Sequence, residues 1–293
     1  MNYRDLQGIL LPNTTPFTPE ESISYTDLRQ NLQTWNKTGI RGHVLLGSTG
    51  ERLHLDESEY LQTIETARAE VPDDLVFIVG AGQQSTVGTI REVKHAVRAG
   101  ADAVLVITPY FYRTAITQET LVNYYTAVAD EAPVPVLLYS MPPLTGIKIE
   151  PETVARLSEH PNVIGVKDSS SDVAKFRRTV ELCPDDFAVM TGNGTVLLDA
   201  LHAGATGAIL AVGCVVPEVC VEIFRARDEE RAEVLQSKLT PLAAAVTTKY
   251  GIGGLKAALD LAGYRGGSVR APLRAPDEAA RVEIGNLIRL LSV

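Results

Sequence analysis

The sequence predicts an α/β fold, a closed (β/α)8 barrel followed by a C-terminal helical region. Eight short apolar runs alternate with longer amphipathic segments from the start of the chain to about residue 225. Each run is almost continuously apolar, which is typical of strands covered on both faces. The units repeat at intervals of roughly 30 residues, which favours an eight-unit barrel over an open, doubly wound sheet.

The apolar runs define the predicted strands in chain order. They are GILLP (8–12), GHVLLG (42–47), LVFIVGAG (75–82), DAVLVITP (102–109), PVLLYSMP (135–142), VIGVKDSS (163–170), FAVMTGN (187–193) and GAILAV (207–212). No Gly-x-Gly-x-x-Gly motif opens a helix after the first run. This argues against the open sheet of dinucleotide-binding proteins.

The segments between the strands carry the period of amphipathic helices. The clearest are SYTDLRQNLQTWNKTG (24–39), DESEYLQTIETARAEV (56–71), TIREVKHAVRAGA (89–101) and TQETLVNYYTAVADEA (117–132). Beyond Pro217 only helical patterns remain, in 218–250, 253–263 and 276–291. We therefore predict a catalytic barrel domain over residues 1–225 and a helical region over residues 226–293 packed on it.

Composition excludes several classes of partner. The chain has 293 residues, 45% hydrophobic and 22% charged, with a net charge of −9 and a pI near 5.1. An acidic surface argues against nucleic-acid or anionic-membrane partners. No apolar run approaches the roughly 18 residues of a membrane span, and the N-terminus lacks a secretory pattern. Cys183, Cys214 and Cys220 form an odd, scattered set that suits a reducing compartment. We expect a cytoplasmic protein.

One lysine stands out in NVIGVKDSS (162–170), where an apolar strand leads straight into Lys167. In a (β/α)8 barrel, chemistry collects where the strands end. Burial favours the uncharged, nucleophilic amine that Schiff-base formation requires. The alternative is an ion pair with Asp168, but adjacent strand residues point to opposite faces. We expect the other seven lysines, in helices and loops, to be solvated: Lys37, Lys94, Lys148, Lys175, Lys238, Lys249 and Lys256.

A metal-dependent aldolase would need two or three histidines with a carboxylate. The five histidines of this sequence do not gather at the strand ends, so we predict neither a metal nor another cofactor. Tyr139 ends the strand next to that of Lys167 and can shuttle a proton. The GSTGE loop (47–51) after the second strand offers backbone amides and the hydroxyls of Ser48 and Thr49 for a carboxylate.

Four motifs in register identify a family resemblance. GSTGE (47–51), TPYFYR (108–113), YSMPPLTG (139–146) and GVKDSS (165–170) resemble the dihydrodipicolinate synthase/N-acetylneuraminate lyase family over essentially the whole chain. The resemblance implies a class I, pyruvate-dependent aldolase, usually a homotetramer. It also implies that Lys167 forms an imine with pyruvate, that Tyr139 shuttles protons, and that Ser48 and Thr49 hold the pyruvate carboxylate and relay protons. The complete set of candidate substrate-binding residues is Ser48, Thr49, Ser169, Thr14 and Asn193.

Two positions depart from the family pattern. Where synthases have an arginine for the carboxylate of aspartate semialdehyde, this sequence has Leu144. Where the family has a tyrosine that reaches the neighbouring subunit's site, this sequence has Phe111, between Tyr110 and Tyr112. Either a neighbour supplies the missing hydroxyl or the relay is shorter, so these three residues are candidates for a relay or an interface.

Longer stretches indicate a branch of the family. Segments 100–113, 157–173 and 245–273 resemble 4-hydroxy-2-oxoglutarate aldolases, which release pyruvate and glyoxylate. That reaction is the leading hypothesis, with a small 2-oxo acid and an aldehyde as partners. The alternatives are 4-hydroxy-tetrahydrodipicolinate synthase and a 2-keto-3-deoxy sugar acid aldolase. A hypothesis of a different class is a barrel without catalysis that senses oxo acids or serves as a scaffold.

Overall fold

The computed structural model describes residues 1–291 and contains a closed barrel of eight parallel strands in sequential order. The strands are β1 (Gly8–Pro12), β2 (Gly42–Leu45), β3 (Val76–Ala81), β4 (Ala103–Ile107), β5 (Val136–Ser140), β6 (Val163–Asp168), β7 (Ala188–Thr191) and β8 (Gly207–Ile209). Closure comes from the pairing of β1 with β8, where Gly8 lies opposite Gly207. The predicted barrel is confirmed, with every strand except β1 shorter than its apolar run.

Helices separate the strands and continue after the barrel. They are α1 (Tyr25–Trp35), α2 (Glu57–Arg68), α3 (Thr86–Arg98), α4 (Gln118–Glu131), α5 (Pro142–Thr145), α6 (Pro151–Ser158), α7 (Val173–Leu182), α8 (Leu197–His202), α9 (Pro217–Arg225), α10 (Glu230–Ala244), α11 (Gly251–Leu261) and α12 (Glu278–Arg289). The helical pattern over 218–250 is divided into α9, α10 and a π-helical turn, Ala245–Lys249. Among residues 1–291, no helix is long and apolar enough to cross a membrane.

The first four helices begin where short polar side chains cap them. Ser24, Asp56, Ser85 and Thr117 each accept a hydrogen bond from the backbone amide three residues later, at the starts of α1 to α4. Such caps satisfy amides that have no partner within the helix. At these four helices a local sequence signal marks the change from loop to helix.

The core has two layers. The inner layer fills the barrel with side chains such as Leu10, Val44, Leu105 and Met190. The outer layer packs the helices against the strands and includes the fully buried Trp35. Both faces of the strands are therefore apolar, which explains why their sequences do not alternate.

The C-terminal helices pack on the barrel and on one another. Helix α10 contacts α8, α9 and the turn after β7, and α11 contacts α12. The predicted division after residue 225 stays a prediction. Residues 292–293, the end of the predicted helical region, lie outside the described residues.

Candidate active site

Lys167 lies near the C-terminal end of β6, inside the barrel. It is paired in register with Tyr139 of β5 on one side and Met190 of β7 on the other, and both belong to the inner layer of the core. Only 4% of Lys167 is exposed. Its Nζ lies 4.4 Å from the centroid of the Tyr139 ring, a cation–π distance for the charged amine. The structure therefore brings the two leading candidates together.

Asp168 faces away from this lysine, as the strand geometry predicts. Its Oδ2 forms an ion pair with Lys175 Nζ at 3.2 Å, and its Oδ1 accepts a hydrogen bond from the Ser170 amide at 2.7 Å. Within the part of the chain that the structure describes, Lys167 itself forms no ion pair with a carboxylate. Its amine is therefore not neutralised by a partner and stays available for chemistry.

The GSTGE loop places the Ser48 hydroxyl within hydrogen-bonding distance of Tyr139. The Ser48 Oγ lies 2.9 Å from the Tyr139 phenol oxygen, a hydrogen-bonding distance in which either oxygen can donate. Two non-glycine residues lie in the left-handed backbone region here: Leu46, just before the loop, with φ 55°, and Glu51, its last residue, with φ 53°. Such conformations are uncommon for these residue types and occur where the surroundings hold the backbone in place. The Ser48–Tyr139 contact is thus set by a constrained loop.

Gly192, at the end of β7, provides the space for the Lys167 side chain. A Cβ atom at this position would lie 2.6 Å from Lys167 Cε and would also overlap Ser169 Oγ. Ser169 and Lys167 are therefore neighbours across the same small gap. Gly192 is not among the site residues predicted from the sequence. Its signal was present, since a glycine at a barrel strand end often marks a close approach.

The remaining candidate binding residues have different surroundings. The Thr14 hydroxyl is buried and has no hydrogen-bond partner among the described residues, so it is free to bind a ligand. Thr49 is buried in the turn that follows Ser48. Asn193 is engaged in its own turn, because its Oδ1 accepts hydrogen bonds from the Thr195 amide and hydroxyl. Its Nδ2 donates to the Ser170 carbonyl oxygen at 3.4 Å.

A cavity of about 340 Å³ opens above Tyr139 and Ser48 at the mouth of the barrel. Its other walls include Tyr110, Leu144 and Leu273. Most of the cavity surface is apolar, and its polar lining residues are Ser48, Glu51, Arg52, His54, Tyr110, Tyr139 and Thr145. Such a site suits a small ligand whose polar end is bound by these few polar groups.

The aromatic residues after β4 are split between the cavity and the surface. Tyr110 is half-buried and lines the cavity, whereas Phe111 and Tyr112 are 71% and 69% exposed. The amides of Tyr110 and Phe111 both donate to Gln84 Oε1 at 2.9 Å. This double hydrogen bond fixes the turn that presents the two exposed rings.

Arginines near the mouth differ in their availability. The Arg52 guanidinium forms an ion pair with the buried Glu92 and stacks 4.2 Å above the centre of the Tyr60 ring. Arg113 is exposed and passes beside Gly146, where a Cβ atom would lie 2.8 Å from its Nη1. Arg113 therefore lies at the end of α5, the short helix that carries Leu144, whereas Arg52 is already paired.

The expectation that all other lysines are solvated is wrong for two of them. Lys256 in α11 is 1% exposed and forms an ion pair with Glu51 at 2.6 Å. The Lys175 side chain is mostly buried in its pair with Asp168. Lys256 belongs to the sequence GGLKAAL, an apolar run around a lysine like that around Lys167. The same signal would have found it.

The single histidine near a strand is part of the scaffold. His43 in β2 is fully buried, with Nδ1 3.1 Å from Asn13 Nδ2 and Nε2 2.9 Å from Asn36 Oδ1. Burial lowers its pKa to about 3, with a smaller contribution from the Arg68 charge. Within residues 1–291, no three His, Cys, Asp or Glu side chains are grouped as metal ligands.

Comparisons with known proteins show a similar sequence and a similar fold over nearly the whole chain. A sequence model of the dihydrodipicolinate synthetase family matches residues 5–290. A 4-hydroxy-tetrahydrodipicolinate synthase of Syntrophus aciditrophicus is 35% identical over 286 residues, 97% of each chain. The crystal structure of dihydrodipicolinate synthase from Thermotoga maritima superposes with a TM-score of 0.93 and 30% identity, covering 98% of this chain and 99% of that one. YagE from E. coli K12, solved in complex with pyruvate, superposes with a TM-score of 0.90 and 29% identity, covering 98% of both chains.

Proposed function

Because the chain belongs to the dihydrodipicolinate synthetase family and is an aldolase-type enzyme that uses a lysine Schiff base, we propose that Lys167 is that lysine and that pyruvate is the oxo acid it binds. One observation carries the assignment. Lys167 is the buried lysine at a barrel strand end that lacks a carboxylate partner and contacts Tyr139. The pyruvate bound in the similar YagE structure supports the choice of ligand.

The chemistry follows from the atoms at hand. The Lys167 amine attacks the carbonyl carbon of pyruvate, and loss of water leaves an imine. The protonated imine draws electrons from the neighbouring methyl carbon, which loses a proton and becomes a nucleophile toward an aldehyde. Run in reverse, the same steps cleave the carbon–carbon bond and release pyruvate.

Tyr139 and Ser48 form the path by which protons move during these reaction steps. Imine formation needs one proton moved to the departing hydroxyl, and the Tyr139 phenol lies beside the amine that forms the imine. Ser48 can pass the proton onward over its 2.9 Å contact. The hydroxyls of Ser48 and Thr49 hold the carboxylate of pyruvate, and the unpartnered hydroxyl of Thr14 is a further donor.

Two aldehydes remain candidates for the second substrate. The names of the similar proteins support 4-hydroxy-tetrahydrodipicolinate synthesis from pyruvate and aspartate semialdehyde. Leu144 argues against aspartate semialdehyde, because a leucine cannot bind its carboxylate. It favours cleavage of 4-hydroxy-2-oxoglutarate, because the smaller glyoxylate can bind through its carboxylate to a hydroxyl such as that of Thr14, which has no hydrogen-bond partner among the described residues. Leu144 is 64% exposed at the mouth. In the synthase reaction, the nearby Arg113 would bind the carboxylate of aspartate semialdehyde.

The experiment that tests the imine uses pyruvate with sodium borohydride, followed by mass spectrometry of peptides. We expect one reduced three-carbon adduct, on Lys167. No adduct, or an adduct on Lys256 instead, would overturn the assignment. A panel of 4-hydroxy-2-oxoglutarate, a 2-keto-3-deoxy sugar acid, and pyruvate with aspartate semialdehyde then identifies the reaction by its relative rates. An adduct on Lys167 without turnover of any of them would point to the oxo-acid sensor.

The assembly and the location belong to the same proposal. The exposed rings of Phe111 and Tyr112 pack edge to face beside the active-site mouth, and large exposed aromatic side chains mark protein interfaces. We propose a homotetramer, which light scattering coupled to gel filtration tests and a monomer would refute. Three free cysteines, two of them buried, support a reducing, cytoplasmic environment.

A further inference from the structure

Lys256 ties the C-terminal helical region to the barrel mouth. Its Nζ forms the 2.6 Å ion pair with Glu51 Oε1 and donates to the carbonyl oxygens of Thr15 and Ser268, each also at 2.6 Å. The ammonium thus donates two hydrogen bonds and contacts the carboxylate as its counter-charge. The ammonium is therefore held in one position, joining three separate segments of the chain.

Glu51 is the last residue of the GSTGE loop. Its φ of 53° places it in the left-handed region, directly after the Ser48–Gly50 turn. Besides the ion pair, its Oε2 accepts a hydrogen bond from the Arg270 amide at 3.2 Å and lies 3.1 Å from His54 Nδ1. Contacts on both carboxylate oxygens hold this unfavourable backbone conformation in place.

The loop after β1 is fixed by the same lysine. The Thr15 carbonyl oxygen accepts from Lys256, and the Thr15 hydroxyl donates to the Gly50 carbonyl oxygen at 2.7 Å. Thr14 and Ser48, both proposed to bind substrate, therefore belong to loops that share one anchor.

Stability alone is a weak reason for burying these two charges. A buried ion pair can often be replaced by apolar residues with little loss of stability, because desolvation offsets the attraction. Burial lowers the pKa of Lys256 even beside Glu51, which shows that desolvation is the larger effect. Unlike apolar packing, the pair fixes the relative orientation of the groups that it joins, because charged hydrogen bonds are short and geometrically specific.

We propose that Lys256 and Glu51 are positioning residues that hold the Ser48–Thr49 turn in register with Tyr139 and Lys167. The proposal rests on the imine chemistry proposed for Lys167, because that is the reaction whose geometry the pair maintains. The pair acts on the carboxylate end of the 2-oxo acid, through the turn that binds it. Its loss misplaces the Ser48 hydroxyl, and a displacement of about 1 Å can lower a rate about 100-fold.

Three variants separate positioning from stability: Lys256→Met, Glu51→Met, and the two changes combined. Lys256→Met leaves a buried carboxylate without its cation, so both the thermal midpoint and the efficiency of borohydride trapping with pyruvate should fall. The double variant removes that unpaired charge and should be more stable than Lys256→Met. We expect its trapping efficiency to remain about 10- to 100-fold below that of the unmodified protein.

Lys249→Met is the matched control. It removes an exposed ion pair with Glu283 from the same region of the chain and should leave trapping unchanged. A double variant in which trapping recovers together with stability would overturn the positioning role. A loss of trapping in Lys249→Met similar to that in Lys256→Met would do the same.

Glu51→Gln provides a second measurement if the double variant does not fold. One neutral oxygen must then accept from both Lys256 and the Arg270 amide, so trapping should fall by roughly 3- to 10-fold. Trapping at the unmodified rate in folded Glu51→Gln would refute the proposal. Failure of the proposed function is a different result, because the unmodified protein would then form no adduct on Lys167.

Discussion

Replacing Gly192 by alanine tests whether the space beside Lys167 determines its reactivity. The added methyl group would lie 2.6 Å from Lys167 Cε and 3.1 Å from Ser169 Cβ, and it would overlap the Ser169 hydroxyl. Carbon atoms pack at roughly 3.5–4.0 Å, so the lysine side chain must move by about 1 Å. The backbone of Gly192 does not lie in the left-handed region, so the perturbation is steric.

The strand cannot easily move away to accommodate the methyl group. The Gly192 amide donates a hydrogen bond to the Asp168 carbonyl oxygen at 2.7 Å, which holds the end of β7 against β6. Overpacking of this kind costs about 1–3 kcal/mol of stability. A displacement of a reacting group by about 1 Å lowers rates by up to about 100-fold. We therefore expect Gly192→Ala to fold, with slightly lower stability and trapping that is about 10- to 100-fold slower.

The assay is the rate of borohydride trapping with pyruvate, measured beside thermal unfolding. Gly285→Ala is the matched control, since a Cβ atom there meets only Leu261 Cδ1, at 3.8 Å. In the middle of α12 this change should leave trapping intact and stabilise the protein by up to about 1 kcal/mol. Folded Gly192→Ala protein that traps pyruvate at the unmodified rate would refute the reasoning.

Three further changes probe the relay, the acceptor and the scaffold. Tyr139→Phe should lower turnover by about 10²–10⁴-fold while still permitting slow imine trapping, and unchanged turnover would make Tyr139 a packing residue. Leu144→Arg should raise the rate with aspartate semialdehyde relative to that with 4-hydroxy-2-oxoglutarate. Efficient synthase activity of the unmodified protein would show that Arg113 or another group already binds the carboxylate of the semialdehyde. The pKa of His43 is lowered to about 3 in the folded protein, against about 6.5 when unfolded. Between about pH 3 and pH 6.5, His43 therefore binds a proton when the protein unfolds. The free energy of unfolding decreases as the pH is lowered below about 6.5, by up to about 1.4 kcal/mol per pH unit. His43→Gln should flatten this dependence, which urea unfolding at pH 7 and pH 5 measures.

The barrel was predictable because its signals are local. Each strand is buried on both faces, so its residues form an apolar run, and each of the first four helices carries a short polar cap. The break inside the helical pattern at 218–250 was less predictable. The residues between α9 and α10 keep a helical pattern, while the backbone there leaves the helix.

The site was predictable to the extent that strand ends meet. Lys167 and Tyr139 end neighbouring strands, so the barrel order alone places them together. The contact between Ser48 and Tyr139 depends instead on two left-handed residues, one just before the loop and one at its end. Nothing in the local sequence marks Leu46 for that conformation. For Asn193 the strand-end rule is misleading, because this polar residue follows a strand but forms hydrogen bonds within its own turn.

Lys167 and Lys256 show why burial alone does not identify a nucleophile. Both lie in apolar runs and both are almost fully buried. The Lys256 ammonium has a carboxylate as its counter-charge and two carbonyl oxygens as acceptors, so its charged form is bound on every side. Lys167 has an aromatic face and the space left by Gly192. Reactivity follows from what the surroundings leave unsatisfied, and those surroundings come from segments distant in sequence. A lysine in an apolar run therefore predicts a constrained amine, and the three-dimensional structure decides whether the amine reacts or holds other groups in place.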